Sequence, residues 1–145
     1  QMAGIMTMGA DGVWCASVFL PTTESETSEN IKEKMIQATS SQTVRSKSRT
    51  GKHSRQLQSA WTDAWESKDA PEPLPMPLQT IVGEPALAIV SKQATLGHEG
   101  AKKLDTYWVG QGIGLVNETI SAGQTVQKFK EEFIEAYERI ASLVE

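Results

Sequence analysis

The sequence has few of the residues from which disulfides, metal centres and membrane spans are built. Cys15 is the only cysteine, and there are two histidines. An internal disulfide and a multi-cysteine metal site are therefore excluded, and a lone thiol suits a reducing compartment. No apolar run approaches the ~20 residues that a membrane span needs. We therefore predict a cytoplasmic protein that binds no metal and has no membrane partner.

The net charge of the chain is also small. The net charge is −4, and hydrophobic residues make up 39 % of the chain. This hydrophobic share is enough to form a core, and the mild acidity argues against a general nucleic-acid binder. We predict a folded protein with no nucleic-acid partner.

The first forty residues predict helix, strand and helix. Residues 1–8 form a helix that Gly9 closes in a left-handed conformation, and Asp11 and Gly12 supply a turn. Residues 13–20 are a short apolar run without alternation, which predicts a strand buried on both faces, as in a parallel sheet. Thr23 and Glu26 have the spacing of a capping box for a helix over residues 24–39.

The middle of the chain is more irregular. We predict a strand over residues 43–49 and a helix over residues 53–65. The prolines of residues 71–77 predict extended chain, either a disordered linker or, as we prefer, an ordered loop fixed by packing of Leu74, Met76 and Leu78. One or two short helices should follow over residues 78–90, where Gly83 and Pro85 interrupt the pattern. Over residues 101–109 we predict a helix that leads into a loop.

The last helix is the clearest element. Ser121 and Gln124 have capping-box spacing and predict a helix over residues 122–143. Its apolar face consists of Val126, Phe129, Phe133, Tyr137, Ile140 and Val144.

Three stretches carry residues suited to binding chemistry. Cys15, Ala16 and Ser17 offer small side chains, backbone N–H donors and a hydroxyl, as a bound phosphate requires. From the residues alone, tight packing of a helix on the strand is the preferred explanation. Residues 108–115 are a glycine-rich loop with one amide, Gln111. Residues 45–55 carry a cluster of basic side chains that forms either a solvated surface or an anion site.

These stretches together resemble the nitronate monooxygenases, once called 2-nitropropane dioxygenases. Residues 8–20 are similar to the last barrel strand of that family, with Ala16 in place of its glycine and Val18 in place of its arginine. Trp108, Gly110 and Gln111 match its Trp-x-Gly-Gln signature. Thr43-Val44, Thr50-Gly51 and Arg55 match a further segment that follows the eighth helix of the family.

The resemblance implies an α/β fold, the carboxyl-terminal portion of a (β/α)₈ TIM barrel. A complete barrel takes about 250 residues, more than this sequence has. Residues 1–40 would be the end of the barrel (helix 7, strand 8 and helix 8). Residues 41–120 would be a helical and loop insertion over the barrel mouth, and residues 121–145 a carboxyl-terminal helix.

The resemblance also implies a cofactor, flavin mononucleotide (FMN), whose phosphate would lie at Cys15, Ala16 and Ser17. Gln111 would contact the flavin or the substrate, and the candidates for substrate or anion contact are Arg45, Arg49 and Gly112. The catalytic base of the family is a histidine in a Gly-Gly-His context, which this sequence lacks. We expect it in an amino-terminal part of the barrel, which would be a partner of these residues.

The implied activity is oxidation of alkyl nitronates with O₂. A flavin-dependent enoyl-acyl-carrier-protein reductase or a relative acting on coenzyme A thioesters is the alternative, since the basic cluster suits an acidic carrier. A non-catalytic helical interaction fragment is a third hypothesis. A homodimer is compatible with each of them.

Overall fold

The computed structural model describes residues 1–143, which are mostly helical around one small antiparallel sheet. The helices and strands of this part are α1 (Met2–Thr7), α2 (Glu29–Gln37), β1 (Thr43–Ser46), β2 (Ser54–Leu57), α3 (Ala60–Trp65), α4 (Leu78–Thr95), α5 (Glu99–Leu104) and α6 (Ala122–Ala141). Short 3₁₀ turns lie at Ser17–Phe19, Ser40–Gln42 and Gln111–Leu115.

The predicted strand over residues 13–20 is wrong. Residues 13–16 have no regular structure, and Ser17–Phe19 form a 3₁₀ turn. Trp14 is 99 % exposed rather than buried. A parallel strand exists only where neighbouring strands accept its hydrogen bonds, and no segment within residues 1–143 pairs with this stretch. The adjoining prediction at Gly9 is confirmed, since its φ is 104°.

Helix α2 begins five residues later than predicted. The Ser28 hydroxyl caps it by accepting a hydrogen bond from the Ile31 N–H at 3.4 Å. Thr23 instead donates to the Glu24 carboxylate at 2.9 Å. The predicted cap at Thr23 is therefore wrong, since α2 begins after Ser28.

The sheet is a hairpin in which Thr43 pairs with Leu57 and Ser46 with Ser54. The strand predicted over residues 43–49 is therefore confirmed in its first half. The helix predicted over residues 53–65 is wrong in its first half, because Ser54–Leu57 form β2. The backbone of β2 also bonds to a third segment: the Leu57 N–H donates to the Tyr107 carbonyl at 3.0 Å. These partners are distant in sequence, so the local pattern did not reveal them.

The proline-rich loop is ordered by polar contacts, not by the predicted apolar ones. Leu74, Met76 and Leu78 are about half exposed. The buried Gln79 side chain accepts from the Leu74 N–H at 3.0 Å and donates to the Ser48 carbonyl at 2.8 Å. This buried amide connects the loop to the hairpin.

Helix α4 is one helix of 18 residues, longer than predicted, and runs through both Gly83 and Pro85. Gly83 allows close packing, since a Cβ there would lie 3.0 Å from the Ser48 carbonyl oxygen. Helix α5 begins at Glu99, not at the predicted residue 101, because the His98 ring caps it by accepting from the Ala101 N–H.

The core is formed by side chains of α2, β2 and the segment after Tyr107. Its fully buried members are Ile31, Met35, Leu57, Val109 and Ile113. Burying one such aliphatic side chain contributes about 1.5–3 kcal/mol. Val109 and Ile113 belong to the glycine-rich loop itself, so the core fixes the position of that loop.

A buried carboxylate, that of Asp105, joins three elements beside this core. Its oxygens accept from the Ser91 hydroxyl at 2.6 Å and from the Asn30 amide at 2.9 Å. The Lys34 ammonium donates to the Asp105 carbonyl at 2.6 Å. Burial lowers the pKa of Lys34, and the nearby Asp105 charge partly offsets that effect.

Helix α6 follows its prediction closely. The Ser121 and Gln124 side chains form the predicted capping box, and the helix ends at Ala141. The ring of Phe129 meets that of Phe19 edge to face, with 6.4 Å between centroids. Val144 lies outside the described residues. Within residues 1–143, none of the helices combines the length and the apolar character that crossing a bilayer requires.

Candidate functional site

A groove of about 600 Å³ lies between the Ser17–Phe19 turn, the segment after Gly112 and helix α6. Its walls bring together Cys15, Ala16, Ser17 and Gly112, all of them predicted site residues. Phe129 of α6 forms part of the apolar wall. Two motifs that lie far apart in the sequence therefore meet in one concave surface, which is the usual form of a ligand site.

Ser17 makes the direct contact between these motifs. Its Oγ accepts a hydrogen bond from the Gly110 N–H at 2.7 Å, across 93 residues of sequence. A Cβ on Gly110 would lie 3.2 Å from this oxygen, so the approach favours glycine. A hydroxyl has one proton to donate besides its acceptor lone pairs. No acceptor within residues 1–143 takes that proton, so Ser17 is able to donate it to a ligand.

The backbone at Ala16 and Ser17 offers further donors. A helical turn leaves its first N–H groups without partners inside the turn. The first N–H bonded within the Ser17–Phe19 turn is that of Phe19, which donates to the Ala16 carbonyl at 3.0 Å. Ala16 has a negative φ, −119°, so the backbone at this position does not require the glycine of the family pattern.

The glycine-rich loop contributes unevenly to the groove. Gly112 lines it, whereas the Gln111 side chain is exposed and is not part of the wall. Ile113 is fully buried and anchors the loop in the core. Gln111 therefore lies beside the groove, in the same short turn as Gly112.

The two predicted anion-contact arginines lie elsewhere. Arg45 is exposed on β1, and neither it nor Arg49 lines the groove. Arg49 is buried, and its guanidinium binds the Glu84 carboxylate through two hydrogen bonds of 2.8 and 2.7 Å. The same guanidinium lies 3.6 Å from the ring centroid of Trp108. Arg49 thus holds the first residue of the glycine-rich loop against α4.

Helix α6 supplies charged residues that the sequence did not identify as site residues. Lys128 lines the groove and forms an ion pair with Glu118, and Glu132 lies on the same wall. In the sequence these residues belong to the polar face of an amphipathic helix. The available signal was their spacing, since Lys128 and Glu132 share one side of the helix with Thr125 and Phe129.

The amino terminus of α6 is held near the Ser17–Phe19 turn by Glu24. Its carboxylate accepts from the Ala122 N–H at 2.9 Å. This backbone hydrogen bond, with the Thr23 hydroxyl also contributing, lowers the pKa of Glu24 below its usual value of 4.5. The ionised Glu24 therefore stabilises the position from which α6 reaches the groove.

Comparison with known proteins identifies the family of the chain. The sequence profile described as nitronate monooxygenase matches residues 1–132. The chain belongs to the nitronate monooxygenase family. It is also 47 % identical to the Mycobacterium tuberculosis protein named "Putative monooxygenase Rv1533", over the whole of this chain and 39 % of that protein.

Solved structures support the fold. FabK from Thermotoga maritima superimposes with a TM-score of 0.69 at 24 % identity, over 97 % of this chain and 42 % of FabK. A point mutant of the same protein gives a TM-score of 0.65 at 23 % identity, over 97 % of this chain and 39 % of the mutant chain. The chain spans about two fifths of the length of the relatives it matches. The contact between Ser17 and Gly110 thus joins two stretches of sequence that lie within the region matched by this family.

Proposed function

We propose that the protein is an FMN-dependent oxidoreductase of the nitronate monooxygenase type, and that the groove beside Ser17 holds the phosphate end of FMN. The observation that carries the proposal is the 2.7 Å contact between Ser17 and Gly110. The groove beside this contact is lined by the Ser17 hydroxyl, whose proton is free, by small side chains and by the start of the Ser17–Phe19 turn. The chain that carries this groove is a member of the family.

The residues present fit a phosphate group. The Ser17 hydroxyl and the first N–H groups of its turn are donors, which a phosphate dianion requires. Cys15 and Ala16 are exposed and small, so they leave the backbone accessible to a ligand. Gln111, adjacent to Gly112, is the side chain of the loop that we assign to the flavin ring or the substrate. Arg49 positions that loop through Trp108.

A bound FMN would supply electron transfer between an alkyl nitronate and O₂, and the chain described here would hold and orient it. The general base that the family uses is a histidine of a Gly-Gly-His loop. We place it in an amino-terminal segment of the barrel.

The same barrel segments are the proposed partner of the exposed apolar side chains of Trp14 and of helix α6. Trp14 is almost fully exposed, and Ile134 and Tyr137 of α6 are more than half exposed. Apolar patches of this kind mark surfaces that another segment covers. In this arrangement residues 1–40 complete the barrel, residues 41–120 lie over its mouth, and α6 packs against its side.

The test is a visible absorption spectrum of the purified full-length protein, followed by O₂ uptake with ethyl nitronate. We expect flavin absorption bands and nitronate-dependent O₂ consumption. Oxidation of reduced nicotinamide with an enoyl thioester, in the absence of nitronate turnover, would favour the reductase alternative. A full-length protein that neither retains nor binds FMN would contradict both.

A further inference from the structure

We propose that Lys128 of α6 binds the phosphate group of the flavin nucleotide, and that it exchanges its ion pair with Glu118 for that contact. This inference rests on the proposed function. It assigns a role to a residue far in sequence from the Cys15–Ser17 motif.

Two contacts fix Lys128 beside that motif. Phe129, the next residue, meets Phe19 edge to face at 6.4 Å between ring centroids. Closer to the start of the same helix, the Ala122 N–H donates to the Glu24 carboxylate at 2.9 Å. Helix α6 is thereby held against the Ser17–Phe19 turn, and Lys128 and Ser17 line the same groove.

Lys128 is the one basic side chain among the described residues that line the groove. Glu118 and Glu132 are acidic groups of the same lining. A phosphate monoester in this groove would face two carboxylates, and Lys128 is the residue able to offset their repulsion. The hydroxyl of Ser17 and the N–H groups of the turn would donate directional hydrogen bonds to the phosphate, whereas Lys128 would supply a full positive charge.

The ion pair between Lys128 and Glu118 is suited to exchange. The two side chains are 51 % and 57 % exposed, and ion pairs this well solvated contribute little to stability. A phosphate monoester carries about −1.5 to −2 charges near neutral pH, more than one carboxylate. Lys128 therefore gains by turning from Glu118 to the phosphate. It follows that Glu118 competes with the ligand for Lys128.

The experiment compares FMN with riboflavin, which lacks the phosphate. The full-length protein is freed of flavin by dialysis and titrated with each ligand while flavin fluorescence is followed. The variants are Lys128→Gln, Glu118→Gln and, as a matched control, Lys130→Gln. Lys130 is exposed on the same helix and does not line the groove.

We expect Lys128→Gln to weaken FMN binding roughly three- to ten-fold and to leave riboflavin binding unchanged, as for loss of one partly solvated charged contact. Glu118→Gln should strengthen FMN binding about two- to five-fold, because it frees Lys128 and removes a like charge. Lys130→Gln should change neither affinity. Lys128→Arg should retain most of the FMN affinity.

Equal effects of Lys128→Gln on FMN and riboflavin would overturn the inference, since they would indicate a structural role. Unchanged FMN affinity in both Lys128→Gln and Glu118→Gln would also overturn it, while leaving the proposed function intact. If Lys128→Gln does not fold, Glu118→Gln and Lys128→Arg still decide the matter. A wild-type protein that binds no FMN would instead contradict the proposed function itself.

Discussion

Replacing Glu84 with glutamine should destabilise the fold, because it leaves the Arg49 guanidinium buried without its counter-charge. The pair is bidentate, with N–O distances of 2.8 and 2.7 Å. The Arg49 side chain is 6 % exposed and that of Glu84 is 32 % exposed. The guanidinium also stacks on Trp108 at 3.6 Å, so a shift of Arg49 displaces the beginning of the glycine-rich loop.

The magnitude follows from burial. Removing one partner of a fully buried pair costs about 3–5 kcal/mol. Water reaches a third of Glu84, so we expect a smaller loss, about 2 kcal/mol. For a protein of this size that loss corresponds to a decrease in Tm of roughly 4–8 °C. The measurement is urea unfolding at pH 7, followed by circular dichroism and tryptophan fluorescence.

The matched control is Glu72→Gln. Glu72 faces Lys47 at 3.8 Å, and the two side chains are 87 % and 40 % exposed. Loss of such a surface pair should change the unfolding free energy by less than about 0.5 kcal/mol. If Glu84→Gln lowers the free energy of unfolding no more than Glu72→Gln does, the buried ion pair of Arg49 does not hold Trp108 against α4. Its role in positioning Trp108 would then be refuted.

Four further predictions concern other parts of the fold. Asp105→Ala should cost roughly 3 kcal/mol in urea unfolding, since it removes a buried acceptor of two side-chain hydrogen bonds. Gly83→Ala should destabilise by about 1 kcal/mol, because its Cβ would lie 3.0 Å from a backbone oxygen. A Cβ at Gly123 would meet only the Ser121 hydroxyl oxygen, at an ordinary contact distance of 3.8 Å, so Gly123→Ala should stabilise α6 by about 0.5 kcal/mol. Equal effects of Gly83→Ala and Gly123→Ala on the free energy of unfolding would refute this packing. The lowered pKa of Glu24 means that its stabilising effect is present above pH 4.5 and is lost as the pH falls below that value. Wild type should therefore lose more stability than Glu24→Gln between pH 5 and 3 in acid titrations, and parallel curves would contradict this.

Elements that depend on adjacent residues were predictable from the sequence. The capping box at Ser121 needs only Gln124, three positions away, and both of its hydrogen bonds form, at 2.9 and 3.1 Å. Gly9 likewise requires only a helix end before it. Such patterns are local, so they determine structure without knowledge of the rest of the chain.

Elements that depend on distant partners were not predictable. The apolar run at residues 13–20 has the composition of a buried strand, but a strand also needs neighbours, which residues 1–143 do not supply. Residues 54–57 form a strand because both β1 and the Tyr107 segment bond to them. Tertiary pairing thus overrides the local pattern.

The residues of the candidate site also divide into those that a local motif identifies and those whose role depends on distant partners. Ser17 and Gly112 were identified by motif, and the structure brings both to the groove. The sequence puts Arg49 in a basic cluster that forms either a solvated surface or an anion site, and it does not reveal the partner Glu84, which lies 35 positions away. Lys128 resembled any polar residue of an amphipathic helix. Charge and spacing alone do not reveal which side of a helix faces a groove.

The most direct test of the proposed flavin site is a crystal structure of the full-length protein with FMN bound. We predict that a phosphate oxygen accepts a hydrogen bond from the Ser17 hydroxyl, at about 2.5–3.0 Å, while Ser17 keeps its contact with Gly110. The Lys128 ammonium should lie against the same phosphate. An FMN phosphate bound away from the groove, with Ser17 donating to a protein atom, would contradict the assignment.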